Sequence, residues 1–147
     1  MTTKQSFTAT EWEQVLKGPP SAAMMVVLAQ RGGTFRETIA IGKAYAEARQ
    51  QHGASELLDE IVAAKPEVDH TRYHSPEEFK EHALGAVRDA VALLEQKATE
   101  QERADYGRFV IGLAERVAST HREGGHGADA VSDAERAAID SIRTALG

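Results

Sequence analysis

Two Glu-x-x-His units, Glu67–His70 and Glu123–His126, come closest in type and spacing to a metal chemistry. Paired units of this kind, with a further glutamate from each of two other helices, hold a di-iron centre inside helical bundles. The three-residue spacing works there because both ligands project inward from a regular helix. Here one unit follows Pro66 in a polar run and the other contains Gly124 and Gly125, so neither lies on an apolar helical face. His70 and His74 stand four apart and would chelate zinc from a helix, with Asp69 or His82 completing the set. Pro76 disfavours helix at Ser75, and the piece reads instead as a surface connector. Glu78 and His82, also four apart, read as a solvent-facing pair. Further along, "THREGGHGADAVSDAE" brings His121, Glu123, His126, Asp129, Asp133 and Glu135 into one stretch. Its acids lack the alternating spacing, central glycine and closing glutamate of a calcium loop. Aspartate and glutamate in a first helical turn are already favoured by its exposed N–H groups and dipole, so this stretch reads first as a helix start. The divalent-metal alternative rests on His70, His74, Asp129 and Glu135.

Other chemistry is thinly represented. With no cysteine in 147 residues, disulfides, thiolate ligands and a cysteine nucleophile are excluded. The chain has no Gly-x-Ser-x-Gly elbow, no phosphate-cradling Gly-x-x-x-x-Gly-Lys-Ser/Thr and no His-Glu-x-x-His. "RGGTF" places two glycines before a helix N-terminus, where an anion can bind, but fits a plain interhelical turn. Met24 and Met25 read as core filler. A formal charge of −6 with the signs interspersed argues against sequence-independent nucleic-acid binding. The longest apolar run, Ala22–Ala29, falls short of the roughly 20 residues of a membrane span. No secretory signal is visible at the N-terminus, so the expected location is cytoplasmic, and no cofactor is implied.

The elements that would position these residues are helices. Starts are written in one grammar, a Ser or Thr followed three residues later by Glu. The hydroxyl satisfies an orphan N–H, and the carboxylate reaches back to the cap's own N–H. Thr10/Glu13, Thr34/Glu37, Ser75/Glu78, Thr99/Glu102 and Ser132/Glu135 all fit. Reading outward predicts helices over 10–17, stopped by Gly-Pro-Pro, then 20–31, 35–52, 55–65, 76–97, 100–122 and 133–146. The second is apolar nearly all round and should be central. The third should bury Phe35, Ile39, Gly42 and Ala46, and the fifth Phe79, Ala83, Val87, Ala90, Val91 and Leu94. Gly42, Gly85, Gly107 and Gly112 sit inside helices at about 1 kcal/mol each, which implies close helix crossings. Trp12, the single tryptophan, should staple the N-terminus beside Phe7; an exposed ring would instead mark a partner surface. The expectation is an all-α, compact single domain over 1–147 of about seven helices, with 1–9 a flexible lead and 66–75 a polar connector. "LAQRGGTFRETIAI" and "LAERVAST…DAVSDAERAAIDSI" echo one another, as two pseudo-symmetric helical hairpins would.

The second of these hairpins resembles the tellurite-resistance, TerB-like family of all-helical domains. Their recurring loop is Asp-Gly-x-hydrophobic-Ser-x-x-Glu, and Asp129, Val131, Ser132, Glu135, Ile139 and Ile142 match its residue types, with Ala130 in place of the glycine and one position fewer between Asp129 and Ser132. In the first hairpin Gly33, Thr34 and Glu37 fit, but no aspartate precedes the glycine. "EGG…VSDAERAAI" with the final "ALG" also resembles the tail of uncharacterised bacterial helical proteins. The resemblance implies an acidic, stress-linked or scaffolding module of bacteria, and no particular reaction. The leading expectation is a non-enzymatic module that binds a protein partner or itself, through acidic helix starts at Glu37 and at Asp129, Asp133 and Glu135. A metal-binding protein using 67–74 or 121–135, and an enzyme with an interhelical pocket, are the alternatives.

Overall fold

Alanine, leucine and glutamate favour helix, and the computed structural model is helical throughout. It describes residues 3–29, 35–51, 55–66, 75–123 and 133–147. Among them a short 3-10 turn at Lys4–Ser6 leads into six α-helices: α1 (Ala9–Ala29), α2 (Phe35–Gln50), α3 (Glu56–Ala63), α4 (Pro76–Lys97), α5 (Glu100–Glu123) and α6 (Asp133–Leu146). No strand occurs among the described residues. Residues 30–34 and 124–132, which belong to the internal echo, lie outside them.

Two of the expected start signals form as written. Ser75 Oγ accepts from the Glu78 amide at 3.1 Å, with Pro76 in the first turn of α4. Thr99 and Glu102 form the full reciprocal box, at 3.1 Å and 2.8 Å. The first helix differs. Its box is Thr8/Glu11, at 3.2 Å and 2.9 Å, two residues ahead of the expected Thr10/Glu13.

A larger difference follows. The first two expected helices are one, because α1 runs straight through Gly18-Pro19-Pro20. Pro19 has no N–H to offer the Val15 carbonyl four residues back, which ordinarily breaks a helix. Here the Tyr106 hydroxyl of α5 donates to the Val15 carbonyl at 2.8 Å in the interior. A side chain 91 positions away thus replaces the missing donor. Gly18 makes room for it: a Cβ there would lie 2.1 Å from Tyr106 Oη. The expected close approach at a helical glycine exists, but at Gly18. Gly42, Gly85, Gly107 and Gly112 would each meet nothing within 4 Å with a Cβ added, so none marks a tight crossing.

Every residue from Gly18 to Val27 is buried, so the Ala22–Ala29 run is central, as its all-round apolarity implied. Helices α4 and α5 pack on α1 far more than on each other, although only Ala98 and Thr99 join them. Phe79, Ala83, Val87, Ala90 and Leu94 are buried as expected, with Val91 packed at the edge. The buried side of α2 is rotated from the expected stripe. It carries Ala40, Ile41 and Tyr45, while Ile39 is 42% exposed and Gly42 and Ala46 face outward. Tyr45 sets this rotation, its ring edge-on to Phe109 of α5 at 5.3 Å.

Phe7 of the lead segment and Trp12 of α1 are buried with their rings 5.6 Å apart, so Trp12 serves the staple and offers no exposed partner surface. Lys97, at the end of α4, donates to the Ser6 carbonyl at 3.1 Å and the Glu11 carboxylate at 2.8 Å, and stands over the Phe7 ring. The Lys97 contact is the main reason the Glu11 carboxyl is held below its usual range. The sign follows: a lowered folded pKa adds stability above the ordinary carboxylate range, lost as pH falls through the lowered value. Lys97→Met is therefore expected to lower the urea midpoint at neutral pH and to flatten its decline on acidification, with Trp12 fluorescence as the reporter. An unchanged acid slope would show that the clamp contributes nothing.

Candidate functional site

The residues singled out for chemistry are only partly placed. His70, His74 and Asp129 lie outside the described residues, as do Glu67, Asp69 and His126. Glu37 is in the first turn of α2 and His121 and Glu123 end α5, with their side chains outside the description. Asp133 and Glu135 both fall in the first turn of α6, but their surroundings differ. Asp133 is exposed, whereas Glu135 is 1% exposed and presents no carboxylate to a partner at that surface. Two acids of α5, Glu102 and Asp105, are buried as well. A cap carboxylate that takes a backbone N–H no longer needs water around it, so Glu102, bonded to the Thr99 amide, can go inside. Glu78 and His82 are exposed on α4, as expected. Among the described residues no three His, Asp or Glu side chains group to hold a metal ion, and no helix is long and apolar enough to cross a membrane.

What the tertiary structure does assemble is a groove along the outer side of α5. Because α4 and α5 diverge from their short link, the end of α6 reaches α4 and leaves one face of α5 open between them. The space is about 740 Å³, with Val91, Leu94, Ile111 and Leu146 on its floor and Gly107 and Gly112 in its wall. A second hollow of about 820 Å³ continues it between α5 and α6, sharing Gly112, Glu115 and Arg143. The rim carries five arginines (103, 108, 116, 136 and 143), no lysine, and the carboxylates of Glu95, Glu100, Glu115 and Asp140.

The pairing around this rim is uneven. Arg116 is committed, gripping Glu47 of α2 with both arms, one at 2.8 Å, and holding that carboxyl below its usual range. Arg108 bonds Asp105, whose other oxygen is supported by no hydrogen bond among the described residues. Arg103 reaches Glu95 only at 4.0 Å, and Arg143 reaches Glu115 at 4.0 Å and Asp140 at 3.9 Å. Exposed pairs that loose contribute little to the fold and leave guanidinium donors available. Inside the bundle, burial pushes both the Tyr45 and the Tyr106 hydroxyls well above the usual phenol range, which keeps them neutral. Both hydroxyls serve the core, and Tyr106 also lines the groove.

None of the rim arginines stood out in the sequence, because a charge on an amphipathic helix ordinarily marks only its wet side. The signal was present in α5: Gly107 and Gly112 within "YGRFVIGLAERV", interleaved with Arg108 and Glu115. No family model matches the chain, and neither the curated proteins nor the solved structures contain a significant match to it.

Proposed function

We propose that this chain is a non-enzymatic helical binding module that works through protein–protein contact or self-association, with the α5 groove as its contact surface. One observation carries the reading. The floor of the groove is apolar, its rim is charged in both signs, and its wall holds two glycines whose missing side chains leave open space. A helical glycine costs about 1 kcal/mol relative to alanine, and neither Gly107 nor Gly112 recovers that by internal packing. A second helix seated on the open face would recover it, in the manner of helix-in-groove recognition. The tellurite-resistance-like kinship, the hairpin pseudo-symmetry and a bacterial cytoplasmic stress role belong to the same proposal. Their support is the Asp129–Ile142 pattern and the internal echo in the sequence.

The test is a photo-cross-linking amino acid placed at position 112, with position 14 on the exposed side of α1 as the control. Irradiation in the producing cells is expected to give a protein adduct at 112 and none at 14. No adduct at 112 sinks the reading.

A further inference from the structure

The open face of α5 has a charge order that fits itself, and we infer that two copies of this chain pair through antiparallel α5 helices seated in each other's grooves. The inference rests on the binding-module reading above and names the partner. Arg108 and Glu115 are seven residues apart, two turns along one stripe, and 68% and 56% exposed. Between them lie Ile111, half-buried on the groove floor, and Gly112, exposed in its wall.

A two-fold axis passing between positions 111 and 112 sets Arg108 opposite Glu115 of the partner subunit, and Glu115 opposite Arg108 of the partner subunit. Ile111 then faces Gly112 of the partner subunit, where no Cβ stands in the way, and the same contact repeats across the axis. Residue i meeting j while j meets i is what a two-fold interface between identical surfaces requires. Both groups have capacity to spare. Arg108 spends only part of its five-donor fork on Asp105, and Glu115 is held only by Arg143 at 4.0 Å among the described residues.

Sedimentation equilibrium of the full chain, from micromolar to millimolar concentration, tests this. The wild type is expected to dimerise reversibly. Arg108→Glu or Glu115→Arg alone brings like charges face to face at two symmetric places and is expected to weaken dimerisation about tenfold or more. The double reversal restores opposite charges and is expected to return the constant to near the wild-type value. Gly112→Leu puts a side chain into space that is open in the monomer, so it should weaken pairing without lowering the thermal midpoint. A wild type that stays monomeric throughout, or a double reversal no better than its singles, overturns self-pairing. If the wild type is monomeric while position 112 still cross-links to a different protein, self-pairing falls and the binding-module reading stands. If both fail, both fall.

Discussion

Gly18→Ala is expected to destabilise the fold by about 3 kcal/mol and to lower the thermal midpoint by roughly 10 °C. The sign is the informative part, since alanine is favoured over glycine inside a helix by about 1 kcal/mol. At this position the new methyl would lie 2.1 Å from Tyr106 Oη, 3.3 Å from its Cζ and 3.5 Å from Ala90 Cβ. Tyr106 is buried and cannot swing aside without abandoning the Val15 carbonyl, which has no amide of its own to fall back on. Overpacking and a lost interior hydrogen bond both exceed the propensity gain, so the net effect is unfavourable. Gly42→Ala and Gly85→Ala are the controls: with nothing within 4 Å of either, they are expected to stabilise by up to about 1 kcal/mol. Urea unfolding of the three variants decides it. A neutral or stabilising Gly18→Ala would mean that Tyr106 does not occupy the space above Gly18.

Tyr106→Phe keeps the ring and removes only the donor, and it is expected to cost about 2 kcal/mol by leaving the Val15 carbonyl buried and unpaired. This cost should depend on Pro19. In a Pro19→Ala background the residue at 19 regains an amide that can bond the Val15 carbonyl in the ordinary i to i−4 pattern. There the same Tyr106→Phe change is expected to cost about half as much or less, a coupling measured by a double-mutant cycle. Alkaline titration adds a second readout. A phenol held neutral by burial contributes stability that is full below its unfolded pKa and lost as pH rises toward the folded value. Tyr106→Phe should therefore soften the alkaline decline, leaving the share that comes from Tyr45. Equal costs of Tyr106→Phe in the two backgrounds would break the link between the proline and the tyrosine.

The parts of the fold that could be read from the sequence are those whose causes lie within a few residues. The caps of α4 and α5 depend on Ser75, Pro76, Thr99 and Glu102 alone, and they form as written. The start of α1 was ambiguous because "TATEWE" contains two overlapping boxes, Thr8/Glu11 and Thr10/Glu13. Lys97, 86 positions away from Glu11, favours the first by taking that carboxylate and the Ser6 carbonyl. The rotation of α2 was ambiguous for a related reason. An alanine-rich helix has apolar residues on more than one side, and only the partner of Tyr45 chooses between them.

Helical class, the central place of the Met24–Met25 segment and most helix ends were determined by the sequence itself, through periodicity and capping that act over one or two turns. Whether Gly18-Pro19-Pro20 broke α1 or bent to it, which glycine met a neighbour and which opened onto a groove, and which arginines came to share a rim were decided only by tertiary structure. The physical reason is reach: a missing amide, an absent methyl or a half-paired guanidinium takes its meaning from the atom opposite. In this chain that atom sits on another helix.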